Sequence, residues 1–262
     1  MTRPDDLAEG ARNLLTGCGG FAAGDDILIV REDPALGWYD RAAPDAVAGA
    51  AGRLGMTVRS LTVGDPGDEL DDDAASAIAG SANVVFFARL GDRDRFADPV
   101  AGRTTVMVYA RTAEMLASVY GRTSHAAMLA LKAAVDDVLL GADRIAVTCP
   151  LGTDVVGAIP AQARRARADV SVRRFPMGVP QPIDAALFAG RVALARYLTP
   201  TGSQSYDPPA LAIDEPVLAE IAGGRIVSLA GRTATVDRVR RHYDRVARLF
   251  AIDPDVVHSW HA

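Results

Sequence analysis

Two histidines near the end of the sequence have the spacing of a metal-binding pair. His258 and His261 lie three residues apart, and imidazoles at this spacing share one face of a helix, where both could bind one cation. Two imidazoles do not fill a coordination sphere, so further ligands would have to come from other segments. The alternative is a terminal segment whose histidines have no functional role. From the residues alone, both interpretations stay open.

A His-x-Asp motif, the spacing found in many non-haem iron sites, occurs slightly earlier. His242 and Asp244 would share a face on a strand, but they lie inside a predicted helix over 233–250. Residues two apart on a helix point about 200° apart. We therefore do not interpret them as a chelating pair, and we expect their polar groups on the solvent side of that helix.

A second polar group surrounds the turn at 199–202. It comprises Arg196, Tyr197, Ser203 and Tyr206. These side chains could bind a polar or aromatic ligand, and they could equally belong to a turn that joins two strands.

Two further motifs favour structural roles. His125 follows Ser124 on a predicted helix, but adjacent helical side chains do not face each other, so we expect a partly buried helix residue rather than a general base. The glycine-rich run 17–20 precedes the first clear strand, whereas a dinucleotide-binding loop follows one. We interpret this run as a flexible turn.

Strand and helix patterns alternate in the first two thirds of the chain. Strands are predicted over 27–30, 57–63, 84–88, 104–110, 145–149 and 170–175, and helices over 45–54, 71–79 and 123–140. Short apolar runs rich in β-branched residues are typical of buried strands. Alternation of this kind predicts an α/β fold, with an open and mostly parallel sheet over residues 1–175.

The pattern changes after Phe175, where prolines and glycines cluster and indicate a linker or a rigid crossing. Strands over 191–198, 210–213 and 225–229 are then joined by turns without a long helix, which favours antiparallel pairing. An amphipathic helix follows over 233–250. We predict a smaller, mainly antiparallel domain over 176–262.

Composition excludes several classes of protein. The 262 residues are 49% hydrophobic, and 28 basic and 33 acidic side chains give a net charge of −5. These values exclude a disordered chain, and the acidic balance argues against non-specific nucleic-acid binding. No apolar run approaches the roughly 20 residues that span a bilayer, and no signal peptide is recognisable. Cys18 and Cys149 form no disulfide framework, so we expect a cytoplasmic protein.

Three motifs resemble the aminopeptidase T (thermophilic leucyl aminopeptidase) family. They are Gly-Thr-Asp at 152–154, Phe-Pro-Met-Gly at 175–178 and Gly-Arg-Ile-Val-Ser-Leu-Ala-Gly at 224–231, in the order that the family has. The resemblance implies an N-terminal α/β domain, a C-terminal domain with paired divalent metals, and a homodimer. A divergent branch, which resembles 2,5-dihydroxypyridine dioxygenase, holds one ferrous iron with two histidines and an aspartate.

Departures from the family pattern favour the iron branch. The peptidases supply a metal-binding glutamate where this chain has Val179, and valine cannot bind a metal. The segment ending at Ala262 resembles the region of the first histidine ligand in the iron branch, which implies His261 as the ligand rather than His258. Arg174 replaces a histidine of that branch. The family's remaining ligands lie downstream, so the resemblance implies further ligands beyond this segment.

The sequence therefore predicts a mononuclear metal enzyme, a non-haem Fe(II) oxygenase that acts on a small polar or aromatic substrate. His261 is the predicted metal ligand, and Zn²⁺ or Mn²⁺ are the alternative ions. Arg174, Arg196 and Tyr206 are the predicted residues for orienting an anionic or phenolic substrate.

Two other functions stay open. An aminopeptidase-type metallohydrolase would need carboxylates in place of the missing ligand, with Glu215 and Glu220 as the nearby options. A binding or scaffold protein that has lost the site would need no metal at all. Metal-dependent release of an N-terminal residue from peptides would distinguish the first of these from the iron oxygenase.

Overall fold

The structure, a computed structural model, describes residues 3–93, 95, 98–161, 171–180, 182–200 and 206–261. The described residues divide into two units. Unit 1 takes in residues 3–132 and 171–178, and unit 2 takes in residues 133–161, 179–200 and 206–261. None of the helices in the described part of the chain combines the length and the hydropathy of a bilayer-spanning segment.

The elements follow one another in a mixed order of strands and helices. The strands are β1 (Asp26–Glu32), β2 (Thr57–Val63), β3 (Asn83–Phe87), β4 (Thr104–Val108), β5 (Ile145–Thr148), β6 (Asp154–Gly157), β7 (Arg173–Phe175), β8 (Ile183–Asp184), β9 (Phe188–Leu198), β10 (Leu211–Ala222), β11 (Arg225–Ala230) and β12 (Ser259–Trp260). The helices are α1 (Pro4–Arg12), α2 (Ala42–Arg53), α3 (Asp72–Ala79), α4 (Ala113–Ala117), α5 (Val119–Arg122), α6 (His125–Gly141) and α7 (Thr233–Phe250).

A parallel sheet forms the centre of unit 1. Its strand order is β2-β1-β3-β4-β7, and every neighbouring pair is parallel. Residues 27–30 and 84–87 are buried, because a parallel sheet whose two faces are covered needs apolar side chains on both. From β1 the chain continues to β2 on one side of the sheet and then to β3, β4 and β7 on the other. The position between β1 and β3 is therefore the switch point of the strand order.

The glycine-rich run 17–20 is not a simple flexible turn. Residues Asn13–Cys18 continue α1 as a π-helical turn, and Leu14, Leu15 and Cys18 are buried in the core. The guanidinium of Arg173 donates to the carbonyl oxygens of Cys18 (3.0 Å) and Gly19 (2.6 Å). These bonds satisfy backbone acceptors that a helix end leaves open, so the segment is fixed in place.

Unit 2 is built on an antiparallel sheet with the order β11-β10-β9-β6-β5. The predicted strand at 145–149 therefore lies in a different sheet from the one expected, because β5 pairs antiparallel with β6. Helix α7 has the predicted bounds, and Val239 is buried on the face that packs with Val217 of β10. The prediction of an α/β fold with a mostly parallel sheet and an antiparallel part is confirmed.

Candidate functional site

The terminal histidines do not lie on a helix. Residues 259–260 form β12, which pairs antiparallel with β8, and the Trp260 ring packs 5.8 Å from the ring of Phe188. His258 and His261 are both exposed, and His261 Nε2 lies 3.1 Å from Ser259 Oγ. The expectation that the two imidazoles share one face of a helix is therefore wrong, because this segment is not helical. Ala262 lies outside the described residues.

The donor set around His261 does not fit a complete metal site. Within the described ranges, the structure contains no group of three or more His, Cys, Asp or Glu side chains that could hold a metal ion. A mononuclear catalytic site needs about three protein ligands. His261 could supply one of them, and the other ligands are not among the described side chains.

Arg196 and Tyr206 lie in different segments of unit 2, Arg196 in β9 and Tyr206 in the irregular segment before β10. Arg196 is exposed in β9 with a φ of +69°, opposite Ile213 and beside an irregularity in the β9–β10 pairing. The Tyr206 hydroxyl lies 3.3 Å from His242 Nε2 on α7, and the Arg245 guanidinium carbon lies 5.3 Å from the Tyr206 ring. Tyr206 therefore packs against a helix. Ser203 lies outside the described residues.

His242 is buried, which corrects the expectation that it faces solvent. Burial lowers the pKa of the His242 imidazole below its ordinary value, and the positive charge of Arg245 lowers it further. Burial therefore favours the neutral form of the ring beside Tyr206. The sequence pattern gave no reason to expect this, because the contact with Tyr206 joins positions 36 residues apart in the chain.

His125 is also buried, and the structural interpretation of this residue is confirmed. Its Nδ1 lies 3.2 Å from the carbonyl oxygen of Pro176, and its backbone N–H donates to Asn13 Oδ1 at 3.1 Å. Burial lowers the pKa of the imidazole, the hydrogen bond to the Pro176 carbonyl oxygen opposes this shift, and the charge of Arg173 adds to it. His125 fixes the start of α6.

A group of charged and aromatic side chains gathers where the parallel strands of unit 1 end. Glu32 ends β1, Arg89 follows β3, Tyr109 and Arg111 follow β4, and Arg174 lies in β7. In open α/β sheets, ligands bind beyond the carboxyl ends of the strands, at the point where the strand order reverses. We call this group the edge cluster: Glu32, Trp38, Arg89, Asp92, Tyr109, Arg111 and Arg174.

A buried ion pair lies at the centre of the edge cluster. Arg89 Nε donates to both carboxylate oxygens of Glu32, at 2.9 and 3.1 Å, and the Arg89 backbone N–H donates to Oε2 at 2.8 Å. Arg89 Nη2 also bonds Asp65 Oδ2 at 2.8 Å. Glu32 is 1% exposed and Arg89 is 7% exposed. Several charge-assisted hydrogen bonds therefore offset the cost of burying both charges.

The Trp38 ring contacts a second arginine of the edge cluster, Arg111, in addition to Arg89. The guanidinium carbons of Arg89 and Arg111 lie 4.5 and 5.0 Å from the centre of the Trp38 ring, within the range of cation–π attraction. Arg89 already has two carboxylate partners. Arg111 is half-buried and makes no ion pair with any residue in the described ranges.

The other side of the edge cluster surrounds a phenol. The Tyr109 hydroxyl donates to Asp92 Oδ1 at 2.7 Å. Burial and this hydrogen bond raise the pKa of Tyr109, and the positive charges of Arg174 and Arg95 oppose the shift. Arg174 is therefore close to Tyr109. Its Nε is buried, and it has no hydrogen-bond partner among the residues that the structure describes.

Of the four predicted site residues, Arg174 belongs to the edge cluster in unit 1. Arg196 lies in β9 of unit 2, Tyr206 in the segment before β10, and His261 directly after β12. The other members of the edge cluster were missed, although a signal was present. Glu32, Arg89 and Arg111 lie one or two residues beyond the end of a predicted strand, and the carboxyl ends of parallel strands share one edge.

The two cysteines are in opposite environments. Burial raises the pKa of the Cys18 thiol to about 12. Cys149 is exposed, and its pKa is lowered by a hydrogen bond from the Thr153 side chain and by backbone N–H groups at 151–153.

Comparisons with known proteins concern the fold. The chain matches no protein family model, and no curated protein matches it significantly in sequence. It is similar to the structure of 2,5-dihydroxypyridine dioxygenase from Pseudomonas putida, with a TM-score of 0.56 and 14% identity over 100% of this chain and 76% of that one. AmpT from Thermus thermophilus is also similar, with a TM-score of 0.45 and 14% identity over 92% and 74%. At 14% identity, the likeness to the dioxygenase shows a shared fold.

Proposed function

We propose that the protein is a metal-dependent enzyme of the dioxygenase type, acting on a small polar or aromatic substrate. The likeness of fold to 2,5-dihydroxypyridine dioxygenase over the whole chain carries this proposal. The order of the motifs at 152–154, 175–178 and 224–231 supports it independently. The proposed cation is Fe²⁺, with Zn²⁺ or Mn²⁺ as alternatives, and His261 is the proposed ligand from this segment.

The donor set places a condition on this proposal. The His261 ring is exposed and accessible to a cation, but the described residues alone do not fit a complete iron site. The remaining ligands must come from outside the described residues. Arg174, Arg196 and Tyr206 remain the proposed substrate residues, and of these Arg174 has the strongest support, because its buried Nε has no described partner.

Iron binding tests the proposal directly. The protein is loaded with Fe(II) under anaerobic conditions and desalted, and its iron content is measured. We expect the wild type to retain one iron ion per chain. His261→Ala should bind Fe(II) at least about tenfold more weakly and retain less iron, because a mononuclear site depends on each ligand. His258→Ala, which removes a neighbouring exposed imidazole, is the matched control. Equal iron content in the wild type and His261→Ala would contradict the proposal.

A metal-free small-molecule binding protein is the second candidate. The charged edge cluster in unit 1 favours it. This function would leave ligand binding unchanged in the presence of a chelator. The aminopeptidase alternative has less support, because Val179 replaces a metal ligand and Glu215 Oε1 lies 3.7 Å from Arg232 Nη1. The homodimer and the cytoplasmic location stay predictions, and sedimentation velocity would test the former.

A further inference from the structure

We propose that the edge cluster of unit 1 binds the carboxylate of a small organic acid, with Arg111 and Arg174 as the cations that hold it. The inference shares Arg174 with the proposed substrate residues, but it does not depend on the proposed metal site, because every residue involved lies in unit 1 and none is a proposed metal ligand.

The fold brings loops from three strands to this place. The Tyr39 hydroxyl, in the loop after β1, donates to the carbonyl oxygen of Val108 at the end of β4 (2.8 Å). The Asp40 backbone N–H donates to the carbonyl oxygen of Arg111 (3.0 Å). Trp38, in the same loop, contacts Arg89 after β3 and Arg111 after β4. The loops therefore meet where the strand order reverses, the usual ligand position in this class of sheet.

Charge at the edge cluster is unevenly compensated. Glu32 and Asp65 both bind Arg89, so the buried guanidinium is fully paired. Arg111 and Arg174 form no ion pair within the described ranges, and both are half-buried. A guanidinium presents paired N–H donors that match the two oxygens of a carboxylate. An incoming carboxylate would therefore meet two cations that have no ion-pair partner among the described residues.

Arg174 has a further reason to accept a ligand. Its Nε is buried without a hydrogen-bond partner among the described residues, and an unsatisfied buried donor is costly. A carboxylate oxygen in reach of this N–H would remove that cost. The neighbouring Tyr109 hydroxyl already donates its proton to Asp92. The carboxylate would therefore accept its hydrogen bonds from the arginines and not from Tyr109.

Backbone groups at the same edge favour a carboxylate over a phosphate. Phosphates in α/β folds bind the free N–H groups at a helix N-terminus. Here Asp40 Oδ1 accepts from the Ala43 N–H in the first turn of α2, and Oδ2 accepts from the Ala113 N–H at the start of α4, both at 2.8 Å. Two helix N-termini are thus occupied by a carboxylate of the protein. The guanidinium groups of Arg111 and Arg174 are side-chain donors at the same end of the sheet.

The half-buried Trp38 ring adds apolar surface beside Arg111. An organic acid with an apolar body behind its carboxylate therefore fits better than a bare inorganic anion. Benzoate has these properties and serves as the probe. Benzamide has nearly the same shape without the charge, and inorganic phosphate has the charge without the apolar body.

Calorimetric titration at constant ionic strength, with the metal chelated, tests the inference. We expect benzoate to bind the wild type and benzamide to bind at least about tenfold more weakly, since charge-assisted hydrogen bonds to arginine are lost. Arg111→Gln and Arg174→Gln should each weaken benzoate binding by a similar factor. Arg111→Lys, which keeps the charge but loses the paired donors, should show an intermediate loss.

Arg103→Gln is the matched control. Arg103 is half-buried, its Nε also has no described partner, and it immediately precedes β4, at the opposite edge of the sheet from Arg111. Benzoate binding should be unchanged in this variant. Far-ultraviolet circular dichroism shows whether each variant is folded, and Arg111→Lys keeps the test decisive if a glutamine variant unfolds.

Four results would overturn the inference. They are no benzoate binding by the wild type, equal binding of benzamide, tighter binding of phosphate than of benzoate, and equal losses in Arg103→Gln and Arg111→Gln. Because the metal is chelated throughout, benzoate binding can succeed or fail independently of iron binding at His261.

Discussion

Glu32 holds a negative charge where almost no water reaches it. Its two oxygens accept three hydrogen bonds from the side chain and backbone of Arg89. Replacing Glu32 with Gln removes the charge and leaves the Arg89 cation buried with Asp65 as its remaining partner. Because removing one partner of a buried pair leaves an uncompensated charge, we expect a loss of about 3 kcal/mol in the free energy of unfolding.

Urea denaturation measures this loss, and Asp45→Asn is its control. Asp45 bonds Arg31 at 2.6 Å, but this pair is partly exposed to solvent. Exposed pairs contribute less than about 1 kcal/mol. Equal losses in the two variants would show that burial of the Glu32–Arg89 pair has no special effect on stability.

Residue types alone revealed part of the candidate site. Histidines and arginines can be recognised in any sequence, whereas Arg174 was singled out through the resemblance to the iron branch, in which a histidine has its place. Whether His261 faces solvent, or His242 lies beneath Tyr206, depends on contacts between distant segments. Side-chain chemistry is local information, whereas burial and partners are not.

At the scale of elements, Asp40 links two helices of unit 1. One carboxylate oxygen accepts from the first turn of α2 and the other accepts from the start of α4. A single capping bond is worth about 1 kcal/mol. We therefore expect Asp40→Ala to lower the free energy of unfolding by about 2 kcal/mol, since the starts of α2 and α4 each lose one hydrogen bond to a carboxylate oxygen.

Asp71→Ala provides the comparison for this prediction. Asp71 Oδ1 accepts from the Ala74 N–H and caps α3 alone (2.7 Å), so about half the loss is expected. Both variants are measured by urea denaturation under the same conditions. A smaller loss for Asp40→Ala than for Asp71→Ala would contradict the double role of Asp40.

The position of most elements could be predicted because their patterns are local. The strand at 57–63 and the helix at 233–250 have the observed bounds, since alternation and helical periodicity are visible within one segment. Pairing is different. The strand at 145–149 looks like the earlier strands in sequence, yet β5 lies in the antiparallel sheet, because its partner is chosen by the tertiary fold.

At the scale of the whole molecule, two buried imidazoles predict how stability depends on pH. The pKa values of His125 and His242 are lowered by burial, whereas the unfolded chain has the ordinary value of about 6.5. At pH values between the lowered and the ordinary pKa, the unfolded state binds more protons than the folded state, so protonation favours unfolding. We therefore expect the free energy of unfolding to fall as the pH decreases from 7 towards 5.

Denaturation curves across this pH range test the assignment to the two residues. The double variant His125→Gln, His242→Gln should show a shallower decline than the wild type, because it lacks both groups. His258→Gln, which removes an exposed ring, should retain the wild-type slope. An unchanged slope in the double variant would assign the pH dependence to other groups.

The edge cluster also belongs to this scale. Its residues extend from position 32 to position 174 and become neighbours only because strands β1, β3, β4 and β7 are parallel and in that order. The sequence predicted these strands and their parallel direction, but it did not determine their order. A binding site at the edge of a sheet cannot be located until the order is known.

The contrast between the two thiols has a practical consequence. Cys149 is exposed and its thiolate is favoured, whereas Cys18 is buried and its proton is held tightly. Thiolates are the species that react with maleimides. A fluorescent dye can thus be attached to the unaltered polypeptide at one known place, and its anisotropy would report tumbling and assembly without any engineered residue.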